Sequence, residues 1–176
     1  MLLALLLSVA HAATLAGVTL ADTATVAGQP MVLNGMGLRE KYFVDVYVGG
    51  LYLPSRSGDP AAILSADAPK RMVMHFVYGK VSREQMVDSF LEDFGKQPGV
   101  AAQQANIDKL LAVVPAAVLR GEEIVFEYAP GTGTTMLVKG RPAATVAGAD
   151  FMRMVFGIWL GPIPPTAALK AGLLGK

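Results

Sequence analysis

The sequence predicts an α+β domain: a mainly antiparallel sheet with a layer of helices against one face. Strand patterns are grouped before residue 79 and again between residues 123 and 146, with helical spacing between and after them. Grouped rather than strictly alternating elements favour antiparallel pairing over βαβ crossovers. Hydrophobic residues make up 53% of the 176 and charged residues 16%, enough apolar surface to bury a core. No repeat, low-complexity tract or linker divides the chain, so one domain is expected over residues 13–176.

Gly17 to Leu20 and Ala24 to Leu33 read as short strands, the second interrupted by a turn at Ala27-Gly28-Gln29-Pro30. Asn34-Gly35 and Gly37 read as a flexible corner. Phe43 to Leu53 is a long strand. By simple alternation Phe43, Asp45, Tyr47, Gly49 and Leu51 share one face, and Val44, Val46, Val48, Gly50 and Tyr52 the other. Gly49-Gly50 inside it marks a bulge, a bend or a close approach. Asp59-Pro60 forms an N-cap followed by proline at the first helical position, opening a short helix to Ser65. Arg71 to Tyr78 alternates as a strand. Ser82 with Gln85 has the form of a capping box. The helix it opens carries Met86, Val87, Phe90, Leu91 and Phe94 at helical spacing. Ile107, Leu110, Leu111 and Val114 mark a second helix. Glu123–Tyr128 and Thr134–Val138 form a hairpin about Pro130–Gly133, and Ala144–Val146 a last short strand. Ala149–Leu160 is an apolar helix, stopped by Gly161-Pro-Ile-Pro-Pro165, and a final helix runs from about Thr166 to Leu174.

Composition excludes much. There is no cysteine, hence no disulfide, zinc–thiolate site or cysteine nucleophile. The net charge of +1 without a basic run gives no footprint for nucleic acid. Phosphate-loop, HExxH and GxSxG motifs are missing, and the glycines of Asn34-Gly-Met-Gly37 precede a strand rather than a helix. No cofactor or metal is expected. His75 reads as a strand residue rather than a general base. Leu2 to Ala10 is an apolar run too short to span a bilayer, and Ala10-His11-Ala12 follows as a small-x-small cleavage pattern. Residues 1–12 are therefore expected to be a signal peptide, although no basic residue precedes the run, and the mature protein to be periplasmic or secreted with no membrane span. The mass of the mature chain reads this directly.

Candidate site residues are few. Arg39 carries a permanently charged planar fork suited to a carboxylate or polarised carbonyl. Its other reading is a surface arginine paired with Glu40 or another carboxylate. Tyr47, Tyr52 and Tyr78 offer hydroxyls to a ligand oxygen, or pack as strand aromatics. Asp88 lies on the Ser82 helix, facing either a ligand or solvent.

Asn34-Gly-Met-Gly-Leu-Arg39 followed by Phe43-Val-Asp-Val-Tyr-Val-Gly-Gly-Leu-Tyr-Leu53 resembles the first motif of the chalcone isomerase-like family. Met74-His-Phe-Val, Ser82 to Phe90, Phe156-Gly-Ile-Trp-Leu-Gly161 and Pro164 to Gly175 resemble its later motifs, in order. The likeness spans about Leu20 to Gly175 and is nearest to the signal-bearing bacterial branch. It implies an open-faced β-sandwich with a ligand cleft between the long strand and the helices. Plant members of this family cyclise chalcones without a cofactor; others bind fatty acids through the arginine and a tyrosine. Arg39 matches the family arginine. Tyr47 falls where the plant isomerases have a threonine, Val81 where they have the catalytic tyrosine, and Asp88 near their asparagine. The resemblance thus implies an exported binder of a small apolar ligand bearing a carboxylate or carbonyl, such as a fatty acid. The alternatives it leaves are an intramolecular lyase using Arg39 and Tyr47, and a structural protein of the cell envelope.

Overall fold

The structure, a computed structural model, describes residues 12–176. The expected leader lies outside the described residues except for Ala12, which opens the first strand. β1 (Ala12–Leu15) and β2 (Val18–Ala21) form a separate hairpin. The main sheet begins with β3 (Thr23–Val26), β4 (Gln29–Lys41), β5 (Val44–Leu53) and β6 (Lys70–Phe76). A short pair, β7 (Lys80–Ser82) with β8 (Ala117–Leu119), stands apart. The main sheet resumes with β9 (Glu123–Ala129), β10 (Gly133–Val138) and β11 (Arg141–Val146). Its seven strands run β11-β10-β9-β6-β5-β4-β3, every pair antiparallel.

The helices are α1 (Pro60–Ser65), α2 (Arg83–Gly95), α3 (Gln104–Leu111), α4 (Ala149–Leu160) and α5 (Ala167–Leu173). Their starts follow local chemistry. The Asp59 carboxylate accepts from Ala61 N–H and Ala62 N–H ahead of α1. Ser82 and Gln85 close a reciprocal capping box at α2, satisfying two of the donors a helix start leaves free. Arg83 then reaches across to the carbonyls that end α3, donating to Leu111 O at 3.0 Å and also to Val114 O.

One face of the sheet, with Leu51, Met72, Met74, Phe76 and Phe126, packs against Phe90, Phe94, Val155 and Trp159 of α2 and α4. The other face, with Val48, Tyr52, Val73 and Val125, is covered in part by Val18 and Leu20 of the β1–β2 hairpin. A core on each face of one curled sheet is the sandwich expected from the sequence.

Three sequence expectations change. Asn34 to Gly37 is not a corner but the middle of β4, and its glycines are there for contact. A Cβ on Gly37 would sit 2.4 Å from Leu169 O, and one on Gly35 2.2 Å from Gly172 O, so α5 lies directly on the β4 backbone. Gly49-Gly50 works the same way on both faces: Leu169 of α5 approaches Gly49, and Leu20 of β2 fills the space at Gly50. The second change is in β5. Arg39 pairs with Tyr47, but Glu40 pairs with Asp45, leaving Val46 as an extra residue. This bulge breaks the alternation. Val44 and Val46 turn to the helical face with Tyr47, while Asp45 leaves it. Third, Arg71–Tyr78 ends as a strand at Phe76, so Tyr78 lies in the loop beyond it.

Candidate functional site

The bulged end of the β4–β5 pair and the first turns of α2 enclose a cavity of about 410 Å³. That is within the range of small-molecule sites. Its sheet wall is Arg39, Val44, Val46, Tyr47, Met74 and Phe76; its helical wall includes Met86, Ser89 and Phe90 of α2 and Ile158 and Trp159 of α4. Val81 of β7 closes one side, and Lys41, Tyr42 and the half-exposed Tyr78 stand at the opening. The lining is mainly apolar; Arg39 and Tyr47 lie on its sheet wall, and Gln85, Asp88, Ser89 and Asp93 come from α2.

Antiparallel pairing explains why Arg39 and Tyr47 meet. Arg39 and Tyr47 are directly opposite each other across β4 and β5, so their side chains share the helical face. Tyr47 is buried at the inner end, its ring tilted against Phe76 at 5.7 Å. Trp159 Nε1–H donates to the Tyr47 oxygen at 2.9 Å. Indole nitrogen is a donor only, so Tyr47 is the acceptor and its own proton stays available to the cavity. Phe126 holds the indole from behind, 5.6 Å between ring centroids. Burial raises the Tyr47 pKa well above that of an ordinary tyrosine, outweighing the Trp159 hydrogen bond and the Arg39 charge. Tyr47 is thus a fixed neutral donor.

Arg39 is only partly exposed, and its guanidinium donates to the Glu40 backbone carbonyl. Among the described residues it forms no ion pair. The surface pairing with the Glu40 carboxylate that the sequence allowed is therefore not made. The acid nearest the inner end, Asp93, is already paired with Lys96 at 3.0 Å. The cavity accordingly presents Arg39, without an ionic partner, beside the neutral Tyr47 hydroxyl and an apolar wall, with Lys41 and the exposed Asp88 also on its lining. Such a site suits an anionic or strongly polarised oxygen on an apolar body.

Of the residues singled out from sequence, Arg39, Tyr47, Tyr78 and Asp88 line this cavity, Asp88 as an exposed residue of α2. Tyr52 does not belong to it. Tyr52 lies on the opposite face, in the second core, where its hydroxyl donates to Ala21 O at 2.8 Å and ties the N-terminal hairpin to the sheet. Trp159 enters from sequence only within the apolar helix Ala149–Leu160; the signal available was its place as the single tryptophan inside Phe156-Gly-Ile-Trp-Leu-Gly161. His75 pairs with Glu123 across β6 and β9 at 2.9 Å, away from the cavity. Among the described residues no cluster of His, Asp and Glu could hold a metal ion.

No curated protein sequence matches the chain. Among solved structures it is similar to a fatty-acid-binding protein of Arabidopsis thaliana, with a TM-score of 0.77 over 93% of this chain and 96% of that one. The identity is 17%, so what this likeness shows is a shared fold. A model of the chalcone isomerase-like family matches residues 12–175, almost the whole described chain, and the protein belongs to that family.

Proposed function

We propose that this protein binds a small apolar carboxylate, such as a fatty acid, in the cavity between β5 and α2. The observation that carries the reading is the Arg39–Tyr47 pair. A cation without an ionic partner stands opposite a hydroxyl whose oxygen is already engaged by Trp159 and whose proton is free. A carboxylate has the acceptor sites to take both donors at once. The alkyl chain would lie along Met74, Met86, Phe90 and Ile158, each added methylene contributing up to about 0.8 kcal/mol until the cavity is full. The similarity to a fatty-acid-binding protein of the same fold supports this choice of ligand class.

The lyase reading asks more of the site than these residues supply. Val81 lines the cavity where the plant isomerases have their catalytic tyrosine, and a valine can neither donate nor hold a water. Loss of one donor to a developing oxyanion costs about 10²–10³-fold in rate.

Titration of a saturated fatty acid and of the matching alcohol into wild type and Arg39→Ala tests the proposal. The variant is expected to bind the acid roughly 10–100-fold more weakly, the value of a charge-assisted hydrogen bond. The alcohol should bind both proteins alike. Equal affinity of both proteins for the acid sinks the proposed site.

A further inference from the structure

The tip of the β4–β5 hairpin carries a feature that ligand binding does not use. Among the described residues four two-residue turns join strands: Ala16-Gly17, Ala27-Gly28, Tyr42-Phe43 and Lys139-Gly140. All eight residues have positive φ, which is costly for any residue with a Cβ and least so for glycine. Three of the turns place glycine second. The β4–β5 turn instead has Tyr42 at φ 49° and Phe43 at φ 65°. Neither aromatic is repaid by burial, for Tyr42 is 86% and Phe43 102% exposed. Two bulky aromatics held in a disfavoured conformation, in the open, point to something outside the fold.

The surroundings say what. Among the described residues seven large apolar side chains are exposed, and five of them, Tyr42, Phe43, Val44, Tyr78 and Leu119, lie at this end. Backbone bonds tie them together: Tyr78 N–H donates to Val46 O, Arg120 N–H to Gly79 O, and Lys80 pairs with Leu119. Phe43, Val44 and Tyr78 also share with Arg120 a shallow concavity whose lining includes Asp45. The outermost charge on the hairpin is a cation, Lys41, whose Nζ sits 5.9 Å from the centre of the Tyr42 ring. Lys80, opposite Leu119, and Arg120, beside Phe43 and Tyr78, are exposed cations at the same end. The nearest carboxylates, Glu40 and Asp45, face each other one pair further from the tip, and Glu122 is occupied by Lys139. Apolar aromatics leading, tyrosine hydroxyls and cations just behind: this is the chemistry of the lipid–water interface. Tyr42, Val44 and Tyr78 also line the opening of the cavity.

We propose that the hairpin tip inserts into the interface of a lipid bilayer bearing anionic headgroups, setting the opening of the cavity against the source of its ligand. Phe43 is the leading anchor, Tyr42 and Tyr78 sit at headgroup level, and Lys41, Lys80 and Arg120 meet the phosphates. That the bilayer is the ligand's source rests on the carboxylate reading of the cavity; the docking itself does not.

Co-flotation of the purified protein with vesicles of phosphatidylcholine, alone or mixed equally with phosphatidylglycerol, tests it. Wild type is expected to float with both and more strongly with the anionic mixture. Phe43→Gly restores the residue found in the three sister turns, so it should fold at least as well. Its vesicle affinity should fall roughly tenfold or more, while its affinity for dissolved fatty acid, which Phe43 does not contact, stays unchanged. Arg39→Ala should lose fatty-acid affinity yet still float, which separates failure of the cavity reading from failure of this one. The proposal is overturned if wild type floats with neither vesicle, or if Phe43→Gly floats as well as wild type. It is equally overturned if sedimentation shows a wild-type dimer that Phe43→Gly converts to monomer, because the tip would then be covered by a second copy.

Discussion

At the scale of single residues, the site depends on a hydrogen bond between positions 112 residues apart in sequence. Trp159 aims Tyr47, and Tyr47 in turn satisfies a buried indole N–H. Tyr47→Phe removes the acceptor and leaves that donor orphaned in an apolar pocket, which costs about 1–3 kcal/mol. Trp159→Phe removes the donor, leaving a buried hydroxyl in need of another partner. The double variant removes both ends, so it should cost less than the sum of the two, by about 0.5–1.5 kcal/mol. Urea unfolding of the four proteins measures this coupling. Strict additivity would mean that the bond does not organise the site. The sequence named Arg39 and Tyr47 because each carries its chemistry in its own side chain. It did not name Trp159 as their partner, since no local pattern shows which strand residue a helix residue will meet. Tyr52 was a candidate for its hydroxyl alone: alternation already set it on the face opposite Tyr47, and the structure keeps it there, in the second core.

At the scale of elements, the parts read correctly were those specified within a few residues. The Asp59-Pro60 start, the Ser82–Gln85 capping box and the α4 apolar run are all written locally. The parts misread are set by distant neighbours. Simple alternation along β5 assigned Val44 and Val46 to the wrong face because a bulge adds one residue without any mark in the composition. Glycines at 35 and 37 resembled a turn because the helix that needs their bareness arrives more than 130 residues later. Asn34 belongs to the same joint. Its side chain bonds Ser57 O and N at 3.0 and 2.7 Å and Leu173 O at 2.8 Å, fastening α5 and the loop after β5 to the sheet. Gly37→Ala therefore drives a methyl group into the α5 backbone rather than into a flexible side chain. It is expected to cost about 1–3 kcal/mol, and to make α5 the first segment released in limited proteolysis. A variant with unchanged melting temperature and digestion pattern would show that α5 does not bear on β4.

At the scale of the whole molecule, ionisable groups buried within the fold make its stability depend on pH in a two-part way. Lys70 is almost wholly buried, its ammonium donating to Ala66 O and Ala68 O beside the Tyr128 ring. Burial lowers its pKa from 10.5 to about 8. Between those values the unfolded chain binds the extra proton, so stability rises with pH across the window and the charged-state penalty is complete below it. The tyrosines act in the opposite sense. Burial pushes Tyr47 and Tyr52 up, and burial with the adjacent Asp67 carries Tyr128 to about 12. Above 10.0, the ordinary tyrosine value, the unfolded chain loses these protons while the folded one keeps them, so stability falls. The midpoint of urea unfolding should therefore climb from about pH 8 and turn over near pH 10. Lys70→Met should abolish the climb and leave the fall, because it removes the amine while the tyrosines stay buried. A wild-type midpoint that declines steadily through the window would mean that Lys70 keeps its ordinary affinity for the proton, and that its two carbonyl partners offset the whole cost of burying it.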